Sequence, residues 1–209
     1  MYIPKHFEEK DLFEIASLVK EFGFTTLISV ADGQPRATHM PLELIIDKEG
    51  LWKLHGHIAR ANPQWRGFEK QPDVLAVFMG PHSYVSPSWY DHKNVPTWNY
   101  KAVHLSGRAS LIEGEALEAM LRELMHRYES EHAEKPLCFD EVPKEIIDMD
   151  LRGLIGIEIV VSKIEAASKL SQNRNEASYD SIVENLKKMD AYDSRRVAEE
   201  MENVKRKSS

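Results

Sequence analysis

The tetrapeptide ADGQ (31–34) joins the run FTTLISV (24–30) to a second extended run that continues through THMPLELII to residue 46. Asp-Gly between two alternating apolar runs is a strong short-range signal for a tight β-hairpin, because both turn residues tolerate the left-handed backbone that such a turn demands. A second turn, DKEG, leads into LWKLHGH (51–57), so the first half of the chain reads as a three-stranded meander. ARANPQW then reads as a loop and short helix. VLAVFM (74–79), VHLSGRASLI (103–112) and GLIGIEIVVSKIEA (153–166) supply three more strands. Six strands with tight early turns predict a mainly β fold with flanking helices, built on a small closed or nearly closed six-stranded antiparallel barrel.

The helices follow from a different period. Asp11 with Glu14 resembles a capping box, and Leu12, Ile15, Ala16, Val19 and Phe22 form a stripe ended by Gly23, which predicts a helix over 11–22. Leu117, Met120, Leu121, Leu124, Met125 and Tyr128 predict an amphipathic helix over 115–132, its methionines reading as core packing. PKEIIDMD (143–150) is a second, shorter helix. From Ser178 the chain is helical and highly charged, with Tyr179, Ile182, Val183 and Leu186 as its continuous apolar stripe, and VKRKSS is expected to fray.

At 209 residues the chain can bury one core with an appendage rather than two full domains. No apolar run reaches bilayer length, and MYIPKHFEEKDLF lacks the basic and apolar segments of a secretory signal. A single cysteine, Cys138, rules out an intrachain disulfide or a CxxC knuckle and suits a reducing cytoplasm. A net charge of −7 argues against a generally basic nucleic-acid-binding surface, leaving room for a local patch.

Alternation places Trp52, Leu54 and Gly56 on one face of their strand and Lys53, His55 and His57 on the other. It splits Val103, Leu105, Gly107 and Ala109 from His104, Ser106 and Arg108 in the same way. The imidazole, hydroxyl and guanidinium groups thus fall on the outer surface, where a binding site is expected. His55 and His57, at i and i+2, can chelate a metal, with His39 or His104 as a third ligand, but hydrogen bonding at the surface or to a cofactor is the favoured reading and no metal site is assigned. There is no GxSxG elbow, and Cys138 has no evident basic partner.

A planar cofactor bearing a phosphate needs clustered donors and aromatic surface. GHIARANPQW brings His57, Arg60 and Asn62 to a strand end. KLSQNR (169–174) adds Lys169, Ser171, Gln172, Asn173 and Arg174, and VSPSWYDHKNVPTWNY (85–100) carries the aromatics. Neither GxGxxG nor GxxxxGK[ST] is present, which disfavours Rossmann and P-loop nucleotide sites.

MYIPKHF, GHIARANPQW, YVSPSWY, VPTWNY with VHLSG, and KLSQNR, in this order over nearly the whole chain, resemble the PaiB family of FMN-binding split-barrel proteins. The resemblance implies an FMN-binding split β-barrel related to pyridoxamine-phosphate oxidases and flavin reductases. It also implies a homodimer with flavin at the subunit interface and a negative transcriptional regulator of protease production and sporulation. The expected division is a split-barrel FMN-binding domain over 1–168, with a helical insertion at about 114–150, followed by a flavin-proximal segment and charged helical tail over 169–209. Around the cofactor it places Thr38 and His39, then His57, Arg60 and Asn62, then Ser86, Trp98 and Asn99, and finally Lys169, Gln172 and Arg174. The stretch 85–100 would be a wall near the flavin and the partner subunit. The alternatives are a flavin-dependent oxidoreductase, a haem-binding split-barrel enzyme drawing on the nine histidines, and a scaffold for protein contacts alone.

No helix-turn-helix pair stands out for DNA. The basic cluster is Arg195, Arg196, Lys205, Arg206 and Lys207, interrupted by Glu199, Glu200 and Glu202. Val197, Met201 and Val204 form a thin apolar stripe suited to docking a helix on a neighbour. Regulation is therefore expected to work through a small molecule or another protein.

Overall fold

The computed structural model describes the backbone of residues 1–208 and the side chains of residues 1–204. Its first hairpin is built as the turn chemistry requires. β1 (Phe24–Ala31) pairs antiparallel with β2 (Gln34–Pro41), Ala31 opposite Gln34, and the two turn residues Asp32 and Gly33 have φ of 53° and 72°.

The second extended run is not one strand. It breaks after Pro41, and β3 (Glu43–Ile46) begins beyond the buried Leu42, whose N–H donates to the Gly23 carbonyl at 2.9 Å. Pro41 has no N–H to donate to a ladder, so the break falls where continuation is weakest. β3 pairs with β4 (Trp52–Ala59), Glu43 opposite His55, through a turn in which the Asp47 carboxylate accepts from the N–H groups of Glu49 and Leu51.

With β5 (Asp73–Val85), β6 (Thr97–Ile112) and β7 (Leu154–Lys169), the sheet has seven strands in the order β2-β1-β5-β6-β7-β4-β3. The six-stranded closed count is corrected by the break at Pro41, which leaves β2 and β3 as separate ends of an open sheet. The mainly β character with flanking helices stands.

The chain divides into two compact units, and β5, β6 and β7 contribute to both. One unit comprises residues 19–77 and 105–164. Its core includes Leu27, Leu54, Leu105, Ile155, Ile157 and Ile159, all fully buried. β4 alternates as expected: Trp52, Leu54, Gly56 and Ile58 are buried, while Lys53, His55 and His57 are half-buried on the opposite face. Gly56 is required by close approach, because a Cβ there would stand 2.5 Å from the Pro41 carbonyl oxygen. α1 (Leu12–Glu21) precedes the first strand, and α2 (Gly114–His132) and α3 (Lys144–Gly153) lie in the insertion between β6 and β7.

The other unit comprises residues 1–18, 78–104 and the chain from 165 onward. Here α4 (Glu176–Lys188) and α5 (Tyr192–Ser208) close a second core in which Val85, Tyr90 and Leu170 meet Ile182, Leu186, Val197 and Met201. The Tyr179 hydroxyl donates to the Met201 carbonyl at 2.6 Å, and burial pushes its pKa up to about 12. The stripe Val197, Met201 and Val204 thus docks α5 onto its own chain. The side chains of Lys205, Arg206 and Lys207 lie outside the described residues, and the backbone of the segment expected to fray continues α5 as helix through Ser208. Among the described residues no helix is long and apolar enough to cross a membrane.

Candidate functional site

At one end of β4 the chain turns through Asn62 into a short 3-10 helix, Pro63–Gly67. Asn62 caps it, its Oδ1 accepting from the Gln64 N–H at 3.0 Å, and Pro63 fits the first turn, where no N–H is needed. The cap aims Gln64 inward. That amide is only 2% exposed and donates to the Leu27 carbonyl at 3.2 Å and to Ser29 Oγ at 3.0 Å. Its Oε1 accepts the Thr38 hydroxyl, which itself accepts from Asn62 Nδ2 at 2.8 Å. Thr38 and Asn62 are therefore brought together, and Gln64, which sequence reasoning passed over, is the hub. Its signal was its place directly after Asn-Pro. On the same exposed edge strand, His39 Nδ1 shares a hydrogen bond of 3.0 Å with the Thr26 hydroxyl.

A cleft of about 490 Å³ adjoins this network, lined by Arg36, Pro63, Arg66, Lys70, Gln71 and the Asp32–Gly33 hairpin end. Three cations face it against one carboxylate, Asp32. None of the three has a carboxylate partner among the described residues, Arg66 resting over the Trp65 ring at 5.3 Å. This donor set fits a phosphate: the cations are unneutralised, and Arg presents paired N–H groups to an oxyanion.

The remaining predicted residues of this unit go elsewhere. Arg60 donates through Nη2 to Glu113 at 2.9 Å and through Nε to the Arg152 carbonyl at 3.2 Å, tying together the two ends of the insertion. His55 shares a 3.0 Å hydrogen bond with Glu158, which Lys53 also approaches at 3.5 Å. The His55 bond, followed by the Lys53 charge, holds the Glu158 carboxyl below its usual range. His57, on the same face, lines a cleft with Asp150, and burial lowers its pKa despite the opposing charge of Asp150. Among the described residues no group of three His, Cys, Asp or Glu side chains is placed to hold a metal.

In the other unit the KLSQNR segment forms a pinned loop. Ser171 sits at φ 62°, a left-handed conformation that costs a non-glycine residue on the order of 1–3 kcal/mol. Its Oγ donates to the buried Asn99 Oδ1 at 3.0 Å and its carbonyl accepts from the Arg174 N–H, while Gln172 bonds back to Leu170 and Ser168. Lys169, Asn99, Gln172 and Arg174 are thus gathered by one loop and β6. Lys169 Nζ donates to the Thr97 hydroxyl at 2.6 Å. Burial lowers its pKa, with the nearby Arg174 charge adding to the effect. Two cations on a strained loop, with no carboxylate partner among the described residues, make a second anion-compatible surface.

The aromatic stretch 85–100 divides its work. Ser86 caps a 3-10 turn (Pro87–Trp89), Trp89 and Tyr90 pack on the α4–α5 core, and Arg174 lies 4.9 Å from the Tyr90 ring centroid. Trp98 is 52% exposed, edge-on to Tyr84 with ring centroids 6.0 Å apart. Much of this aromatic surface is therefore explained by the C-terminal helices, a partner the sequence reading did not give it.

A family model described as "Putative FMN-binding domain" matches residues 1–163, leaving Lys169, Gln172 and Arg174 beyond it. The protein named Protease synthase and sporulation protein PAI 2 from Bacillus subtilis (strain 168) is 42% identical over 207 residues, covering 99% of each chain. Among solved structures, the flavocytochrome Anf3 from Azotobacter vinelandii matches with a TM-score of 0.59 at 15% identity, over 86% of this chain and 78% of that one. An FAD and heme binding protein from Mycobacterium smegmatis matches with a TM-score of 0.57 at 14% identity, over 78% and 73%. At such identities the two structures establish a shared fold.

Proposed function

From a chain that belongs to the FMN-binding family and carries its split-barrel fold, we propose a flavin-binding regulatory protein that holds the FMN phosphate in the cleft of Arg36, Arg66 and Lys70. The observation that carries this reading is the three unneutralised cations beside the Thr38–Asn62–Gln64 network, all within the residues the family model matches. Thr38, His39 and Asn62 would position polar atoms of the cofactor. Lys169 and Arg174 are kept as a second flavin- or substrate-contacting pair. When bound, the flavin supplies reversible electron transfer, and the protein's part is to bind and orient it. Arg66→Ala removes one charge-assisted contact, worth on the order of 1.5–3 kcal/mol, and should weaken FMN binding accordingly in a fluorescence-quenching titration. Wild-type affinity in that variant would place the phosphate elsewhere.

The regulatory part rests on the Bacillus subtilis relative, whose name refers to protease synthesis and sporulation and which covers the chain end to end. We propose negative control of such genes through a small molecule or another protein. In support, the apolar stripe of α5 is spent on its own core, and Arg195 and Arg196 pair with Asp190 and Glu199. The exposed Trp98 and Tyr84, and Phe24 at 73% exposure, support a homodimer. The unpaired Cys138 thiol is consistent with a cytoplasmic setting. Sedimentation velocity with labelled duplex DNA at physiological salt tests both proposals: the protein should run at twice its 24.0 kDa chain mass and leave the DNA unshifted. A monomer would refute the dimer, and co-sedimentation with one specific sequence would refute indirect control.

A further inference from the structure

The insertion between β6 and β7 does more than decorate the sheet. With β4, its helices α2 and α3 enclose a cleft of about 400 Å³, within the size range of small-molecule sites. The walls are apolar: Leu124 and Met125 come from α2, Phe139 from the connection and Ile147 from α3. None of the lining residues belongs to the Thr38–Asn62–Gln64 network or to the basic cleft.

Apart from the Tyr128 hydroxyl, the polar groups in this cleft share one character. His57 Nδ1 is buried with no hydrogen-bond partner among the described residues, a condition a native fold rarely leaves unexplained. Asp150 and Glu129 contribute carboxylates, and no lysine or arginine lines the cleft. Glu129 already accepts the Leu137 N–H at 3.0 Å, whereas Asp150 makes no hydrogen bond or ion pair among the described residues. Arg122, whose guanidinium stacks on Phe139 at 4.4 Å, is held by Asp140 and Glu118. Since burial disfavours the imidazolium, His57 presents a neutral ring that can accept a proton-bearing donor.

We propose that this cleft is a second ligand site for a small molecule with an aromatic or similarly apolar body and one protonated amine, the ammonium donating to the Asp150 carboxylate and to His57 Nδ1. An anionic ligand would meet two carboxylates and no cation. A purely apolar one would leave the His57 nitrogen unsatisfied. The insertion thereby acquires a role in small-molecule recognition that does not depend on the flavin reading.

The test is isothermal titration of the purified full chain with 1-naphthylmethylamine, neutral 1-naphthylmethanol and anionic 1-naphthoate. It is run at about pH 7.5, above the ordinary histidine pKa and below that of an amine. The amine should bind tightest, Asp150→Asn should weaken it about tenfold, and Leu124→Trp, which fills the cleft, should abolish it. FMN titrations of both variants should match wild type. The proposal is overturned if the alcohol or carboxylate binds as well as the amine, if both variants keep wild-type amine affinity, or if FMN competes with the amine. Should Leu124→Trp fail to fold, the exposed Asp150 variant decides alone.

Discussion

Asp91 is an exposed carboxylate whose whole surrounding is arranged for its charge. Ser178 Oγ donates to it at 2.7 Å and Asn175 Nδ2 at 3.0 Å, with His92 alongside. The Ser178 bond, then His92 and Asn175, bring its pKa down from 3.8 to about 2. A depressed acid stabilises the fold above its unfolded value, and the contribution is lost as pH falls through the folded value. Asp91→Asn should therefore lower the denaturation midpoint near neutrality, and the gap from wild type should narrow between about pH 4 and pH 2. A gap that stays constant would show that the carboxylate's charge does not matter. The sequence displayed the donors of this region but not their targets. Asp91 and Ser178 are 87 positions apart, as Gln64 is 35 from Ser29, and periodicity carries no information about such pairings. The loop and short helix at ARANPQW were legible, whereas the capping role of Asn62 and the convergence of Arg36, Arg66 and Lys70 needed the hairpin and the 3-10 helix to be folded together.

Among the elements, those specified by their own residues were the easiest to read. The Asp32–Gly33 turn, the alternation in β4 and the stripe of α2 all follow from neighbours in sequence. The division of the second run into β2 and β3 was obscured because apolar residues continue across it, although Pro41 marked the place. In the α4–α5 pair, the thin stripe suited to docking a helix on a neighbour finds that neighbour in its own chain, with Val197, Ala198 and Met201 fully buried. Met201→Ala should cost about 2–5 kcal/mol, as large-to-small changes in a packed core do, read from urea denaturation. A cost below about 1 kcal/mol, the range of a surface substitution, would mean that α5 is not part of the cooperative core.

For the whole molecule, the resemblance foresaw the fold class and the cofactor, because five ordered motifs constrain a chain more than any one of them. The donors it named divide between the two units, Thr38, His39 and Asn62 in one, Asn99, Lys169 and Arg174 in the other. In the proposed function, phosphate recognition falls to the first of these, through cations the motifs did not single out. Titration of the purified chain with FMN and, in parallel, with riboflavin, which lacks the phosphate, tests that assignment most directly. Saturable FMN binding at least tenfold tighter than riboflavin, weakening as salt screens the cations, is the predicted result. Equal affinity for the two flavins, or no saturable binding of FMN, would contradict it.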